Sequence, residues 1–267
     1  MIVVELQKLF RRPRTWVSLL LLVALPSLVA FFLAVSDNAP RPGTGPAFLS
    51  AVLTNGALFP AAALAIVLPL FLPVSVAMVA GDAIAGEAAA GTLRYLLVRP
   101  VGRGRLLLAK LVSLLAYTLA AVVVVAVSAY VVGISLFGSA PVASTSGPEF
   151  TTSGAALRIT LTVLYVGWSM VGVGAVTLFL STVTDSPLAA ALGAIGLLVA
   201  SSVLVGLDAS ASVQPYLPTR YWLAFVDFFR DPVPTRDVLR GVALQGVYVG
   251  VFLTAAWANL ATKDVTS

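Results

Sequence analysis

The chain has 267 residues, of which 60% are hydrophobic and only 10% are charged, and its mean hydropathy is +1.03. An ordinary soluble domain carries roughly 25% charged residues, so this composition excludes a soluble globular protein and indicates a membrane protein. The absence of cysteine and histidine excludes disulfides, thiolate chemistry and Cys or His metal sites. The net charge of +5 needs no nucleic-acid partner, because basic residues at one membrane face account for it.

Six apolar runs are each long enough to cross a bilayer as a helix. A hydrocarbon core of roughly 30 Å needs about 20 apolar residues, whereas a β-barrel would show alternating segments of about ten residues. The runs lie near 15–35, 57–80, 108–133, 158–180, 187–207 and 241–261. We therefore predict an all-α polytopic membrane protein with six transmembrane helices in a single domain, 1–267. The first run exceeds the roughly 7–15 residues of a secretion signal, so we expect it to be retained.

Residues 1–14 combine apolar and basic side chains at helical spacing. The apolar side consists of Ile2, Leu6, Leu9 and Phe10. The basic residues of the remaining surface include Lys8, Arg11 and Arg12. This pattern predicts a short amphipathic helix in the membrane interface, with these basic residues as anchors at the lipid headgroups. Pro13 is expected to end that helix before the first span. A disordered basic tail that only sets topology is the alternative.

The distribution of basic residues predicts the orientation. If the N-terminus is inside, ten of the 16 Lys and Arg residues face the cytoplasm, including nine of the ten around the first three spans. Short loops rich in Lys and Arg remain on the cytoplasmic side. We therefore predict that both termini are cytoplasmic.

Proline and glycine mark further features of the spans. Pro60, Pro69 and Pro73 lie in the second run and predict a kink, because proline lacks the N–H group that continues a helix. Residues 36–56 and 134–157 are rich in Gly, Pro, Ser and Thr and are interpreted as outer loops.

The six runs contain no charged residue away from their ends. A charge at the bilayer centre costs roughly 2.5–3.5 kcal/mol and persists mainly where it carries ions or protons, so proton coupling is disfavoured, while sodium coupling through backbone carbonyls stays open. The sequence has neither a Walker A phosphate loop nor a G-x-S-x-G nucleophile motif. We therefore predict that the chain is not an enzyme and that its energy source is a separate protein.

Residues 208–240 differ from the other loops. Trp222, Phe225, Val226 and Phe229 fall at positions i, i+3, i+4 and i+7. This spacing predicts an amphipathic helix at the outer leaflet, with Tyr221 and Trp222 as interfacial anchors. A wall of an exit path is the alternative interpretation.

Residues 81–105 form a charged segment between two apolar runs. From Asp82 to Arg99 most residues are good helix formers, and Pro100 is expected to end the helix. Glu87 and Arg94 share one side of it, and Leu93, Leu96 and Leu97 make an apolar ridge. A solvated helix with such a ridge indicates docking into a groove of another protein.

This segment also contains a recognisable motif. Glu87, Gly91, Thr92 and Leu93 form the pattern E-x-x-x-G-T-L. The residues after this pattern that also belong to the motif are Leu96, Leu97, Pro100, Arg103 and Lys110. With the six spans and the amphipathic N-terminal segment, the chain resembles the ABC-2 type transporter permeases, specifically small bacterial six-span members. The alanines between Glu87 and Gly91 depart from relatives that have bulkier or charged residues there.

The resemblance implies an ABC-2 type exporter transmembrane domain whose segment 81–105 docks into a cleft of a separate ATPase. It implies two ATPase copies that bind ATP and Mg, a second permease copy that is identical or related, and no cofactor in this chain. The implied location is the plasma membrane of a bacterium or archaeon, surrounded by lipid. The implied coupling residues are Asp82, Glu87, Gly91, Thr92, Leu93, Arg94, Leu96, Leu97, Pro100 and Arg103, with Lys110 as an anchor of the third span.

The uncharged spans favour export of an amphipathic, drug-like, peptide or lipid-like substrate. An ion-gradient-driven secondary transporter and a non-transporting membrane scaffold are the alternative functions.

Overall fold

The computed structural model describes residues 2–36, 52–53, 55–92, 102–138, 142–143 and 149–262. The helices in the first half of the chain are α1 (Ile2–Arg11), α2 (Pro13–Val35), α3 (Phe59–Val67), α4 (Phe71–Asp82), α5 (Ala85–Ala89) and α6 (Arg103–Phe137). Those in the second half are α7 (Thr152–Val183), α8 (Pro187–Val205) and α9 (Thr235–Thr262). The described 3₁₀ helices are Gly56–Leu58, Asp208–Ser210, Gln214–Tyr216 and Trp222–Phe229.

Five of these helices, α2, α6, α7, α8 and α9, are long and apolar enough to cross a membrane. The segments Gly56–Val67 and Phe71–Asp82 pass the same test together and are bent by 60° at the break between them, so they supply a sixth span if they cross as one. The predicted all-α polytopic fold is confirmed. The third span is longer than predicted, because α6 begins at Arg103 and includes the basic residues before the apolar run.

The bend in the second span lies at Pro69, within the turn at residues 68–70. Proline donates no backbone hydrogen bond and its ring clashes with the preceding turn, so the helix cannot continue straight through this position. Pro60 lies in the first turn of α3, where a missing N–H group is tolerated. The predicted kink is confirmed, and Pro69 lies at its centre.

Local sequence also explains where other spans begin. Ser186 caps α8 by accepting a hydrogen bond from the backbone N–H of Ala189 at 3.3 Å, and Pro187 follows as the first helical residue. Thr151 caps α7 in the same way through the N–H of Gly154 at 3.2 Å. Ser or Thr at the cap and proline at the first position are strong helix-start signals.

The helices pack around α7, which contacts α4, α6, α8 and α9. The first span, α2, packs on α6, and α4 lies between α7 and α8. Helices in a membrane gain little from hydrophobic burial and associate through close packing, which small residues permit. The crossing of Gly56 and Gly133 is an example, because a Cβ atom at Gly133 would overlap the carbonyl oxygen of Gly56 and lie 2.6 Å from the Cβ of Phe59.

Between α6 and α7 the chain forms a small antiparallel pair of strands, β1 (Val142–Ala143) and β2 (Glu149–Phe150). Val142 pairs with Phe150 and Ala143 pairs with Glu149. The predicted loop at 134–157 therefore contains a hairpin. The predicted loop at 36–56 lies mostly outside the described residues.

The predicted continuous helix from Asp82 to Arg99 is wrong. Helix α4 ends at Asp82, the short helix α5 runs only from Ala85 to Ala89, and Gly91 has a left-handed φ of 68°. A residue in this conformation terminates a helix, and glycine adopts it without a Cβ clash. Helix propensity alone does not reveal this stop, because the surrounding alanines favour helix.

The Gly56–Gly133 crossing generates a stability prediction. Gly133→Ala should lower the unfolding temperature in detergent, because overpacking costs about 1–3 kcal/mol. Gly250→Ala is the matched control, since a Cβ there meets no atom within 4 Å and alanine favours helix over glycine by about 1 kcal/mol. Equal unfolding temperatures for the two variants, measured by intrinsic tryptophan fluorescence, would contradict the close approach.

Candidate functional site

The strongest concentration of charge lies where α1, the start of α2, the end of α4, α5 and the start of α6 meet. We name this cluster the charged junction. It consists of Glu5, Lys8, Arg12, Arg14, Asp82, Glu87 and Lys110. The seven residues come from sequence positions up to 105 apart, so the fold and not local sequence brings them together.

Glu87 is the centre of the charged junction and is buried. One of its carboxylate oxygens accepts hydrogen bonds from Lys8 and, at 3.4 Å, from the Nζ of Lys110. The other accepts a hydrogen bond from the hydroxyl of Thr92. Burial by itself raises the pKa of Glu87, but the hydrogen bonds from Lys8 and Thr92 and the charges of Lys110 and Lys8 outweigh it and lower the pKa to about 2. The carboxylate is therefore ionised at neutral pH.

Lys110 is 5% exposed at the beginning of the third span. Its Nζ lies 2.7 Å from Oε2 of Glu5, in addition to its contact with Glu87. Lys8, Glu87, Lys110 and Glu5 therefore form an open series of three ion pairs with alternating charge. We name this series the ion-pair chain. A buried ammonium group is costly unless it is paired and hydrogen-bonded, and both acids of the ion-pair chain provide that compensation for Lys110.

Asp82 forms a second set of ion pairs beside the ion-pair chain. It accepts hydrogen bonds from Arg12 and from both terminal nitrogens of Arg14, one of them at 3.0 Å. The two-pronged contact with Arg14 matches the planar guanidinium to the carboxylate. Since Arg12 and Arg14 flank the bend between α1 and α2, Asp82 ties the end of α4 to that bend.

Hydrogen bonds from the second half of the chain fix the turn between α4 and α5. The hydroxyl of Ser181 on α7 accepts from the backbone N–H groups of Ile84 at 3.1 Å and Ala85 at 2.8 Å, and it donates to the carbonyl of Gly81 at 2.7 Å.

Arg103 at the start of α6 donates to the carbonyl of Leu260 at 2.7 Å. This contact neutralises unpaired carbonyls at the C-terminal end of α9.

The structure brings together only part of the predicted site. Asp82, Glu87 and Thr92 lie in the charged junction or in contact with it, Gly91 lies at the exposed end of the α5 turn, and Arg103 lies against α9. The remaining predicted coupling residues are outside the described residues. They are Leu93, Arg94, Leu96, Leu97 and Pro100.

Three residues of this region had no predicted role. Glu5, Arg14 and Ser181 act through partners more than 60 positions away. A single charge or hydroxyl carries no local pattern that names a distant partner, so sequence spacing could not find them.

The predicted interfacial anchors have different surroundings. Lys110 is buried and ion-paired with Glu5 and Glu87, which corrects its predicted role as an anchor at the membrane interface. The physical reason is that both carboxylates lie within reach of its ammonium group. Lys8 and Arg12 pair with Glu87 and Asp82 but stay partly exposed, Arg11 is exposed, and their anchor role stays a prediction.

The segment between α8 and α9 closes the opposite end of the bundle. Trp222–Phe229 is a 3₁₀ helix, not the predicted α-helix, and its apolar side faces the protein. Trp222 is 4% exposed, which corrects its predicted role as an interfacial anchor, while Tyr221 is half-buried. The segment is held through its backbone, because Tyr165 donates to the carbonyl of Tyr221 at 2.6 Å and Gln245 to that of Pro218 at 2.7 Å.

The described residues form a bundle of apolar helices with the charged junction at one end, as expected for a multi-pass membrane protein. The family model described as ABC-2 family transporter protein matches residues 2–230, which is most of the chain, so the chain belongs to that family. It is a multi-pass membrane protein and a permease subunit of an ABC transporter. Such permease domains are the membrane components and not the ATPases, and the family implies partnership with an ABC ATPase subunit. A comparison with curated proteins found no match.

The lowered pKa of Glu87 generates a prediction of pH-dependent stability. A carboxylate whose pKa falls from 4.5 to about 2 on folding stabilises the folded state above its unfolded pKa, and this contribution disappears as the pH falls toward 2. The unfolding temperature of the wild type should exceed that of Glu87→Gln most at pH 6 and progressively less from about pH 5 to pH 3.

The exposed Asp208, at the opposite end of the bundle, offers a matched control. Asp208→Asn should differ little from the wild type at every pH. A difference between the wild type and Glu87→Gln that stays constant from pH 6 to pH 3 would contradict the assigned ion pairs.

Proposed function

We propose that this permease works as a pair of chains with two ABC ATPase subunits, which bind ATP and Mg, and that segment 81–105 receives their motion. Both termini lie in the cytoplasm of a bacterial or archaeal cell, on the same side as the ATPases. The substrate moves outward, or into the outer leaflet, through the membrane domain.

The observation that carries this proposal is the attachment of an exposed turn to a rigid charged junction. Residues 89–92 are exposed, whereas Glu87, one turn earlier, is buried and paired with Lys8 and Lys110. Another protein can bind an exposed turn of this kind. Because Glu87 at the start of the turn is paired with Lys8 and Lys110, the turn cannot move without displacing α1 and α6.

The charged junction provides routes for that displacement. The ion-pair chain of Lys8, Glu87, Lys110 and Glu5 connects α5 to α1 and to the third span. Ser181 connects the turn between α4 and α5 to α7. A ligand shifts a conformational equilibrium only if it binds the two conformations with different affinity. The ATPases must therefore make different contacts with the exposed turn before and after they bind ATP. The ion pairs then convert that difference into tilting of whole helices.

In this proposal Glu87 positions the turn and does not present a free carboxylate, because both of its oxygens are engaged within the chain. Direct contact with the ATPase falls to the exposed turn and to the predicted residues that follow it, Leu93, Arg94, Leu96, Leu97 and Pro100.

The uncharged interior of the membrane domain favours an amphipathic substrate, such as a drug-like, peptide or lipid-like molecule. The buried polar residues on α7, α8 and α9 are hydroxyl residues and Gln245, and the apolar parts of the six runs contain no charged residue. Such surroundings accept hydrogen-bonding groups but offer no counter-charge to a small ion.

One observation favours the secondary-transporter alternative. The 60° break in the second span is a feature of carriers that bind ions at interrupted helices. Uptake or efflux by vesicles in an ion gradient, with no ATPase present, would support that alternative.

Gly91 provides the sharpest test of the coupling segment. Gly91 has a φ of 68°, and a Cβ atom there would meet no atom of the described residues within 4 Å, so a substitution changes the turn without disturbing the packing that the structure describes. A β-branched residue strains in the left-handed region, whereas asparagine tolerates it. With about 1–2 kcal/mol of strain, Gly91→Val should reduce permease-stimulated ATP hydrolysis about 5- to 30-fold, and Gly91→Asn should retain most of it.

The measurement is ATP hydrolysis by the partner ATPase, co-purified with the permease and reconstituted in nanodiscs. The amount of ATPase that copurifies with each variant reports association separately from stimulation. Unchanged association and stimulation for both Gly91→Val and Glu87→Lys would rule out the coupling role of this segment.

A further inference from the structure

Inside the bundle, away from the charged junction, three hydroxyl groups connect the first three spans. Tyr117 on α6 is fully buried. Its phenol oxygen lies 2.8 Å from the hydroxyl oxygen of Ser18 on α2, and it also contacts the hydroxyl of Ser75 on α4. Ser18 in turn lies 2.8 Å from the carbonyl oxygen of Thr15. Three hydroxyls therefore make three hydrogen bonds in an unbranched chain.

The direction of this chain follows from the number of hydrogens. Each hydroxyl has one proton to donate, and only Ser18 can donate to the carbonyl of Thr15. Tyr117 must then donate to Ser18, and Ser75 must donate to Tyr117. Every proton is used once, and the chain runs in one direction from α4 through α6 to α2.

The end of the chain coincides with the bend between α1 and α2. Thr15 is 1% exposed, and its side-chain hydroxyl donates to the carbonyl of Leu9 at 2.7 Å. Its backbone N–H donates to the carbonyl of Arg12 at 3.1 Å. The residue that accepts the last hydrogen bond of the chain is thus the residue that fixes the angle at which α1 leaves the first span.

Helix α4 needs such a connection more than the other spans do. It is separated from α3 by the 60° break at Pro69, and it carries the coupling turn at its other end. The sequence of α4 contains only two residues with hydrogen-bonding side chains, Ser75 and Asp82. Asp82 is tied to Arg12 and Arg14 at the charged junction, so Ser75 is the hydrogen-bonding side chain that holds the middle of the helix.

We propose that Tyr117 is a positioning residue of the transport cycle. Through Ser75 and Ser18 it holds α4, α6 and α2 in one axial register, so that motion received at the coupling turn reaches the first and third spans and is not absorbed by bending at residues 68–70. This inference rests on the proposed coupling function, and it adds a transmission element inside the membrane that is separate from the ion pairs of the charged junction.

The test uses pairs of variants that differ in a hydroxyl but not in shape. Ser75→Thr keeps the hydroxyl donor. Ser75→Val has the same shape as Ser75→Thr but carries a methyl group in place of the hydroxyl. Tyr117→Phe removes the central hydroxyl, and Tyr130→Phe makes the same change on the same helix at a residue that is 45% exposed. Ser75→Val and Tyr117→Phe should lower permease-stimulated ATP hydrolysis about 3- to 10-fold, the equivalent of one hydrogen bond, with the KM for ATP unchanged.

Ser75→Thr and Tyr130→Phe should retain stimulation. The double variant Ser75→Val/Tyr117→Phe should be no worse than the more impaired single variant, because both changes break the same chain. If Ser75→Thr loses as much stimulated ATP hydrolysis as Ser75→Val, the loss comes from packing at residue 75 and not from the missing hydroxyl. That result would overturn the proposal.

A second measurement follows the register directly. The natural chain contains no cysteine, so spin labels placed at Met78→Cys and Leu115→Cys report the distance between α4 and α6 without background. In the wild type this distance should stay narrow and unchanged between nucleotide-free and ADP–vanadate states, and in Tyr117→Phe it should broaden or shift between them. Identical distributions in the two proteins would overturn the proposal.

The outcomes separate this inference from the one on which it rests. If Gly91→Val and Glu87→Lys impair stimulation but Tyr117→Phe and Ser75→Val do not, the coupling segment stands and the hydroxyl chain has no role in transmission. If none of the four variants has an effect, the coupling function itself is wrong. Thermal unfolding of each variant in the same nanodiscs identifies any loss that comes from misfolding.

Discussion

Burial of Lys110 at the start of the third span is the constraint on which the charged end of the molecule depends. An ammonium group at that depth is tolerated only with anionic partners, and Glu5 and Glu87 provide them. Glu5 can do so only if α1 folds back against α6, and Glu87 only if the chain turns sharply after α4. The path of the chain at this end is therefore set by the neutralisation of one lysine. Because removing either acid leaves Lys110 with a single anionic partner, both contacts contribute to holding α1, α5 and α6 together.

The two ends of the bundle are held by different kinds of contact. At the charged end, carboxylates pair with Lys and Arg side chains, so the contacts depend on particular residues. At the opposite end, Tyr165 and Gln245 donate to backbone carbonyls of the segment after α8. Such contacts hold the path of the chain and leave the side chains of that segment free to fill the core, as Trp222 and Phe225 do. The ion pairs connect α1, α2, α4, α5 and α6 at one end, and the carbonyl contacts hold the segment after α8 against α7 and α9 at the other.

Between these ends the second span is interrupted. Its bend at Pro69 divides it into a half that packs on α6 and a half that packs on α7 and α8. A hinge at that point would separate α4 and α5 from the half of the span that packs on α6. The contacts of Asp82, Ser75 and Gly81 with α2, α6 and α7 restrain α4, so that it is a part of the bundle and not a free arm.

What the sequence alone determined follows from local chemistry. The six apolar runs predicted the spans because a bilayer requires about 20 apolar residues for each crossing, Pro69 predicted the bend, and the E-x-x-x-G-T-L motif located the segment that the family match now places in an ABC-2 permease. The sequence also identified Glu87, Asp82 and Lys110 as residues of interest, although it predicted Lys110 to be an exposed anchor of the third span and not a buried ion-pair partner.

Only the tertiary structure decided which charges meet. Glu5 and Lys110 are 105 positions apart, and the partners of Asp82 are 68 and 70 positions away. Pairing across such distances depends on how helices pack, and no periodicity in the sequence encodes it. The burial of Trp222 and the hydroxyl chain through Tyr117 were hidden for the same reason. Composition and periodicity describe what each segment prefers by itself, whereas these features arise where two or three segments satisfy one another's charges and hydrogen bonds.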